Sequence, residues 1–345
     1  PLSNGLTQVI YEGTPDTPRR ERHLEIIERY GVTVYYTAPT LIRTFMTWFG
    51  DELPSGHDLS TLRLLGTVGE AINPEAWVWF HRNFGREELP VIDTWWQSET
   101  GAAMIAPLPG ITPLKPGSAS IPLPGIDVAV VDENGDEVAP GRSGTLVVRR
   151  PWPGMARTVW GNPERYRDAY WSAYAGVGAH GGYYVAGDGA TRDADGFIWI
   201  LGRLDDVVNV SGHRLSTIEI ESALVAHETV GEAGSAGVAD PVTGQAVVAF
   251  VTPSGRAEID AHALRAEVAR SIGPVAKPKH VVVVPDLPKT RSGKIMRRLL
   301  AQLWDAEQDR RAGRTPQALG DTTSLQNPWA VDDIAGALAA ESRTS

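Results

Sequence analysis

The chain has 345 residues and no cysteine, which excludes disulfides and thiolate metal sites and fits a cytoplasmic protein. Asp and Glu number 42 against 32 Lys and Arg, a formal charge of −10 that speaks against broad nucleic-acid binding. No run approaches the roughly 18 apolar residues of a membrane span, and the start at Pro1, with neither Met nor a charged-then-apolar leader, gives no secretory signal and suggests a piece of a longer chain.

Thr17-Pro18 suits a helix start, Leu24, Ile27 and Tyr30 supply its apolar stripe, and Gly31 its stop. The β-branched and aromatic run 32–36 reads as a strand ended by Pro39, and 62–65 and 90–92 as two further buried strands. Between these, Asn73-Pro74 opens a Trp-rich helix over 75–83, and such alternation favours an α/β sheet. From about Gly117 to Leu201 short alternating strands take over. Residues 126–131 and 145–148 flank Asn134-Gly135, a strong hairpin signal, and 197–201 follows the turn Asp195-Gly196. Ser216 with Glu219 forms a capping box that opens a helix to about Ala226. Strands at 247–251 and 281–284 with a helix over 261–272 complete a small α+β unit beginning near Asp205. The polar stretch beyond about Asp309 reads as irregular.

Five segments carry candidate chemistry. In Gly69-Glu70-Ala71-Ile72-Asn73 a glycine after an apolar strand lets backbone approach a ligand closely, although a plain strand-to-helix turn explains it as well. Asp93-Thr94-Trp95-Trp96-Gln97-Ser98-Glu99-Thr100-Gly101 sets hydroxyls and a carboxylate beside paired indoles, a set that suits phosphate, a metal ion and a flat base; a buried Trp pair is the blander reading. The carboxylate of Gly187-Asp188-Gly189 can accept two ribose hydroxyls or simply sit in an Asp-Gly turn. Arg203 and Arg214, eleven positions apart in Gly-containing stretches, suit a phosphate unless they are solvated surface arginines. Lys294 follows Gly293 at a predicted helix start, where a cation opposes the macrodipole; the alternative is a basic surface patch with Arg297 and Arg298.

In this order and spacing the segments resemble the adenylate-forming (AMP-binding) enzyme superfamily. The text along nearly the whole chain is similar to its acetyl-CoA synthetase family: Tyr36-Thr37-Ala38-Pro39-Thr40, Trp95-Trp96-Gln97, Pro151-Trp152-Pro153-Gly154, 209–214, 288–296 and Leu319-Gly320-Asp321-Thr322. The resemblance implies the C-terminal part of the family's large domain over 1–204, an α/β sheet plus a small distorted β-barrel. It implies a small mobile α+β domain over 205–310 and a tail over 311–345. The implied activity is that of an acetate–CoA ligase, which turns ATP, acetate and coenzyme A into AMP, pyrophosphate and acetyl-CoA through acetyl-adenylate, with Mg2+.

Carried over by position, Gly69, Glu70, Ala71, Asp93, Thr94, Trp95, Trp96, Gln97, Ser98, Asp188, Arg203 and Arg214 match ATP- and AMP-binding positions. Trp96 and Val68 match the wall of the acyl pocket. Ser211, Gly212, Asp16 and Arg270 fall at or beside CoA contacts, Asp205 on the hinge, and Val225, His227 and Val230 on magnesium contacts. Lys294 matches the adenylation lysine, whose acetylation in the family implies a lysine acetyltransferase and a deacetylase as partners; neither nucleic acid nor membrane is implied. There are departures. Ala71 stands where the family usually has Pro, Ser98 where it often has Thr, Asp16 for an Asn, and Ala269 for an Arg, with Arg270 adjacent. An acid near the CoA phosphates is unfavourable. The Ser/Thr/Gly-rich loop ending in Lys-Gly that holds the outer phosphates of ATP in the family does not occur in the chain, and its family position precedes Pro1. The competing readings are a propionate or other short-chain acyl-CoA ligase, against which Trp96 argues, and a non-catalytic adenylate-binding remnant.

Overall fold

The computed structural model describes residues 2–341 apart from 205, 212, 256, 291 and 292, and leaves out the side chains of 2, 214 and 341. Two compact units are woven from alternating stretches: Pro1–Asp127, Pro151–Arg157 and Ala194–Trp199 in the first, Val128–Arg150, Thr158–Asp193 and Ile200–Ser345 in the second. The expected domain boundary at Asp205 lies outside the described residues.

In the first unit, α1 (Arg22–Tyr30) begins later than Thr17-Pro18 suggested. Leu24 and Ile27 are buried as expected, Tyr30 is exposed, and Gly31 ends the helix in the left-handed conformation at φ 56°. After β1 (Val34–Thr37) comes a correction: Pro39 does not merely stop a strand but is the first residue of α2 (Pro39–Phe49). A helix needs no N–H at that position, and proline's fixed φ suits it. β2 (Leu64–Thr67), α3 (Pro74–Asn83) and β3 (Val91–Asp93) follow. The strands form a parallel sheet in the order β1-β2-β3, with Thr37 opposite Thr67 and Thr67 opposite Asp93, so all three end level. The helices close over the sheet through Ile42, Phe45, Leu65, Phe80 and Phe84, each fully buried and each stabilising the fold by about 1.5–3 kcal/mol.

β4 (Val128–Val131), β5 (Ser143–Val148) and β6 (Tyr184–Arg192) of the second unit, with β7 (Ile198–Arg203), which enters that unit at Ile200, make a four-stranded sheet in chain order, and α4 (Pro163–Tyr170) lies between β5 and β6 in the chain. The β4–β5 turn carries Asn134-Gly135 as expected, with Gly135 at φ 85° and Asp132 Oδ1 accepting the amides of Asn134 and Asp136. A further sheet is built from β8 (Val208–Val210), β9 (His213–Leu215), β10 (Val230–Asp240), β11 (Gly244–Pro253) and β12 (His280–Val283), with β11 bonded to β10, β8 and β12. Its helices are α5 (Thr217–Val225), capped by Ser216 as predicted, and α6 (Ala261–Ser271), capped by Asp260.

The region read as an irregular tail is structured. α7 (Arg297–Arg311) runs past Asp309, and α8 (Trp329–Glu341) buries Ala330, Ile334 and Leu338 completely. Ile334 and Leu338 pack in one apolar cluster with Leu300, Leu303 and Trp304 of α7. The polar average of this stretch hid a single stripe at i, i+4, i+8, which is enough to seat a helix.

Candidate functional site

Parallel strands all end on one edge, and the crevice beyond their carboxyl ends is where such sheets take ligands. β2 leaves Thr67 into Val68-Gly69-Glu70-Ala71, and Gly69 has φ 96°, which a residue with a side chain rarely adopts. β3 leaves Asp93 into the Trp-Trp-Gln segment. The edge is laced together. Val68 N donates to Thr37 O at 3.0 Å, and Thr94 donates to Thr67 O through its N at 3.0 Å and its Oγ1 at 2.9 Å. With that hydroxyl hydrogen committed, Tyr36 is left to donate to Thr94 Oγ1, 2.6 Å away. Thr67 Oγ1 donates to Asp93 Oδ1 at 2.7 Å in a buried setting.

The two carboxylates of this edge have opposite electrostatics. Burial pushes Asp93 up to about 7, and the Thr67 and Thr94 donors offset only part of it. Burial also opposes the charge on Glu70, but the Arg43 guanidinium and the Thr40 hydrogen bonds outweigh it and hold Glu70 below the usual carboxylate range. Glu70 Oε1 accepts from Thr40 N at 2.7 Å and from Thr40 Oγ1, and Oε2 accepts from Arg43 Nη2 at 3.0 Å. The Glu70 side chain therefore bolts the loop to the first turn of α2, which leaves the loop's backbone for a ligand.

The Trp pair divides between its two readings. Trp95 is buried and paired with Ile105 through the backbone, whereas Trp96 is 43% exposed, as alternation along an extended segment requires. Beyond them Ser98–Thr100 makes one 3-10 turn, with Gln97 N donating to Thr100 Oγ1 at 2.9 Å. Trp152 Nε1 donates to Thr100 O at 2.9 Å, and a Cβ on Gly101 would meet Gly154 O at 2.3 Å. The Pro151–Gly154 stretch thus clamps the loop, a role its sequence did not announce. Asp16 is exposed; its carboxylate accepts from Thr14 Oγ1 at 2.8 Å and bonds none of the crevice residues.

In the second unit, Gly187-Asp188-Gly189 is neither a turn nor a loop but the middle of β6. Asp188 is buried, and Arg203 on β7 brings Nη1 within 3.7 Å of Asp188 Oδ1 while donating to Ala186 O at 2.8 Å. The guanidinium lies where a side chain on Gly187 would be, 2.5 Å from an added Cβ. Ser211, at φ 50°, is exposed at the β8–β9 turn with its N donating to Thr243 O at 2.9 Å. Gly212 and the Arg214 side chain lie outside the described residues, although Arg214 pairs with Asn209 through the backbone. Arg270 is exposed on α6 and bonded to Glu267. Beside Ser211 opens a cleft of about 460 Å³ lined by Arg265, Lys277, Lys279 and Asp240, with Asp240 ion-paired to Lys279. The sequence reasoning missed this cleft, whose local signal is the closely spaced cation pair of Lys277-Pro278-Lys279.

Val225 ends α5, His227 O accepts from Val230 N at 2.9 Å, and His227 Nδ1 bonds Thr229 Oγ1 at 2.9 Å. Among the described residues no three His, Cys, Asp or Glu side chains converge as a metal cage. Val225 closes the helix, where the last carbonyls lack helical partners, His227 lies in the turn after it and Val230 opens β10, so what these positions offer is backbone carbonyl oxygen, a donor type that suits a hard cation.

Lys294 is exposed in a tight turn before α7, which begins three residues later. Thr290 N donates to Lys294 O at 2.9 Å, Gly293 N to Thr290 O at 2.8 Å, and Lys294 N to Thr290 Oγ1 at 3.2 Å. The basic-patch alternative loses a member, because Arg297 faces inward. Its Nε and Nη2 bind Glu221 Oε1 and Oε2 at 2.7 and 2.6 Å, and its Nη1 lies 3.7 Å from Asp206 Oδ2. Glu221 is itself buried and accepts from Ser235 N at 2.8 Å.

Comparison with known proteins places these features in a family. The AMP-binding enzyme model matches residues 1–160, and the model of the AMP-binding enzyme C-terminal domain matches 219–294. The acetyl-coenzyme A synthetase of Mycolicibacterium smegmatis is 56% identical over 97% of this chain and 35% of its own length. That of Streptomyces avermitilis is 54% identical over 99% of this chain and 50% of its own. The chain thus spans between about a third and a half of these relatives. A crystal structure of an anthranilate CoA ligase in complex with anthranoyl-AMP superposes with a TM-score of 0.72 at 27% identity, over 90% of this chain and 55% of that one. Matched by one model across the parallel-sheet crevice and by the other across the elements that lead to Lys294, the chain belongs to the AMP-binding enzyme family.

Proposed function

We propose that this protein is an acetate–CoA ligase. An acetate oxygen attacks the α-phosphorus of ATP and pyrophosphate leaves; the CoA thiolate then attacks the acetyl carbon, and AMP leaves as acetyl-CoA forms. The observation that supports this most is the crevice at the level ends of β2 and β3, with its Gly69 turn and its one exposed indole, on a chain 54–56% identical to acetyl-coenzyme A synthetases.

In this reading the backbone of Gly69 to Ala71 and the Asp93–Ser98 segment hold the nucleotide, and Trp96 with Val68 walls a pocket sized for two carbons. Asp188 accepts the ribose hydroxyls, held in place by Arg203, and Arg214 meets the α-phosphate. Negative charge builds at that phosphate as the new bond forms, and the Lys294 ammonium neutralises it. Val225, His227 and Val230 would hold Mg2+ partly through backbone carbonyl oxygens, and the ion would supply positive charge there. The CoA pantetheine runs by Ser211 and Gly212, and its phosphates find Arg265, Lys277 and Lys279, which makes up for the acid at Asp16 and the Ala at 269. Asp205 serves as the hinge between the two half-reactions, in a cytoplasmic enzyme whose Lys294 is open to an acetyltransferase and a deacetylase.

The deciding experiment separates the half-reactions on a preparation competent in acetate-dependent ATP–pyrophosphate exchange. Lys294→Gln should lower exchange by roughly two to three decades, the loss of one charge contact worth on the order of 3–4 kcal/mol. Thioester formation from supplied acetyl-adenylate and CoA should keep near-normal speed. Unchanged exchange, or equal impairment of both steps, would remove Lys294 from the chemistry.

A further inference from the structure

We infer that Asn327, from the stretch between α7 and α8, is a positioning residue for Lys294; the inference rests on the role proposed above for that lysine. The turn bearing Lys294 is a small ribbon. Lys289 pairs antiparallel with Ile295, and Met296 N donates to Pro288 O at 2.8 Å. Its other edge is taken by the tail. Thr290 pairs antiparallel with Leu325, and Gln326 N donates to Lys289 O at 2.8 Å. The Lys294 arm therefore has a third strand beside it, drawn from far along the chain.

Asn327 fastens that strand. It is 4% exposed, and its side chain bonds only the residues leading into the ribbon. Oδ1 accepts from Lys289 N at 2.9 Å, while Nδ2 donates to Asp286 Oδ2 and to Leu287 O, both at 2.7 Å. A neutral amide is required, because it must accept on one atom and donate twice on the other. A carboxylate here would face Asp286 and lose both donors. The α8 helix draws on this residue through its backbone instead, with Ala330 N donating to Asn327 O at 3.1 Å. On the far side Lys289 Nζ reaches Glu232 of β10 at 2.5 Å and Asp286 at 3.2 Å, so the base of the ribbon is tied to the sheet. A mobile ammonium acts well only if its backbone is held, and Asn327 holds the backbone at Lys289, one residue before Lys294's own partner, Thr290.

The test uses Asn327→Ala and Asn327→Asp in two readouts. In hydrogen exchange, amides within 289–296 should exchange about tenfold faster or more in both variants, the size set by losing a buried hydrogen bond, while those of α5 and β11 stay protected. In kinetics, acetate-dependent ATP–pyrophosphate exchange should fall about tenfold in kcat with KM for acetate unchanged, and thioester formation from acetyl-adenylate should hold. Unaltered exchange over 289–296 would overturn the inference whatever the enzyme does. Equal loss in both half-reactions would also overturn it, by reducing Asn327 to a fold requirement. A wild-type protein with no acetate chemistry would sink the functional reading alone, since the amide exchange still decides whether Asn327 orders the turn.

Discussion

Replacing Asp93 with Asn measures what a buried acid does to the fold at the mouth of the crevice. Asp93 is 4% exposed, and burial raises its carboxyl from 3.8 to about 7. The folded state therefore holds a proton that the unfolded chain has already released over this range. The stability tied to that proton is present in full below about 3.8 and is lost as pH climbs through about 7. At about 1.4 kcal/mol per unit, the loss amounts to roughly 4 kcal/mol. Asn keeps the shape and still accepts from Thr67 Oγ1, but it cannot ionise. Urea unfolding of Asp93→Asn and the parent at pH 4, 5, 6, 7 and 8 should show similar midpoints at pH 4, close to the ordinary carboxyl value of 3.8. The variant should gain steadily up to pH 7 and level off above it. A difference that does not change with pH, or a variant weaker at pH 8, would mean that Asp93 is ionised and adequately solvated, and the argument from burial would fail.

Gly101→Ala should destabilise by about 1–2 kcal/mol from the left-handed backbone alone, and further because the new Cβ would collide with Gly154 O; an unchanged urea midpoint would contradict the clamp. Trp96→Gly should raise kcat/KM for propionate and butyrate relative to acetate by about ten- to 200-fold per added methylene. An unchanged ratio across chain lengths would assign the wall to another side chain.

The β-branched runs of the first unit were legible because their residues prefer a pleated, half-buried surface, and the Asn134-Gly135 turn because few residues tolerate its dihedrals. β10 was not: Val230–Asp240 is rich in Gly, Ala and Ser, and what makes it a strand is its partner β11, which no local rule can see. Proline at 39 was ambiguous, since the same residue ends one element and starts the next. At the site, motif order was legible but side-chain destinations were not. Nothing in Trp95-Trp96 says which indole goes inward, and nothing in Gly187-Asp188-Gly189 says that the first glycine makes room for an arginine on the next strand. Arg297 looked like surface charge because its partner Glu221 lies 76 positions away.

The interleaving of the two units bears on the order in which they can form during synthesis. The first unit uses Ala194–Trp199, where Lys115 meets Asp195 at 2.7 Å and Ser118 Oγ donates to Ile198 O at 2.8 Å. Those contacts span about eighty residues, so the first unit stays unfinished until residue 199 has left the ribosome. By then the β4–β5 hairpin, whose contacts are local, has already had time to close. The nascent chain therefore cannot complete one unit before starting the other, and a ribosome that stalls between residues 150 and 194 would leave the 115–120 stretch without its partners and open to a chaperone.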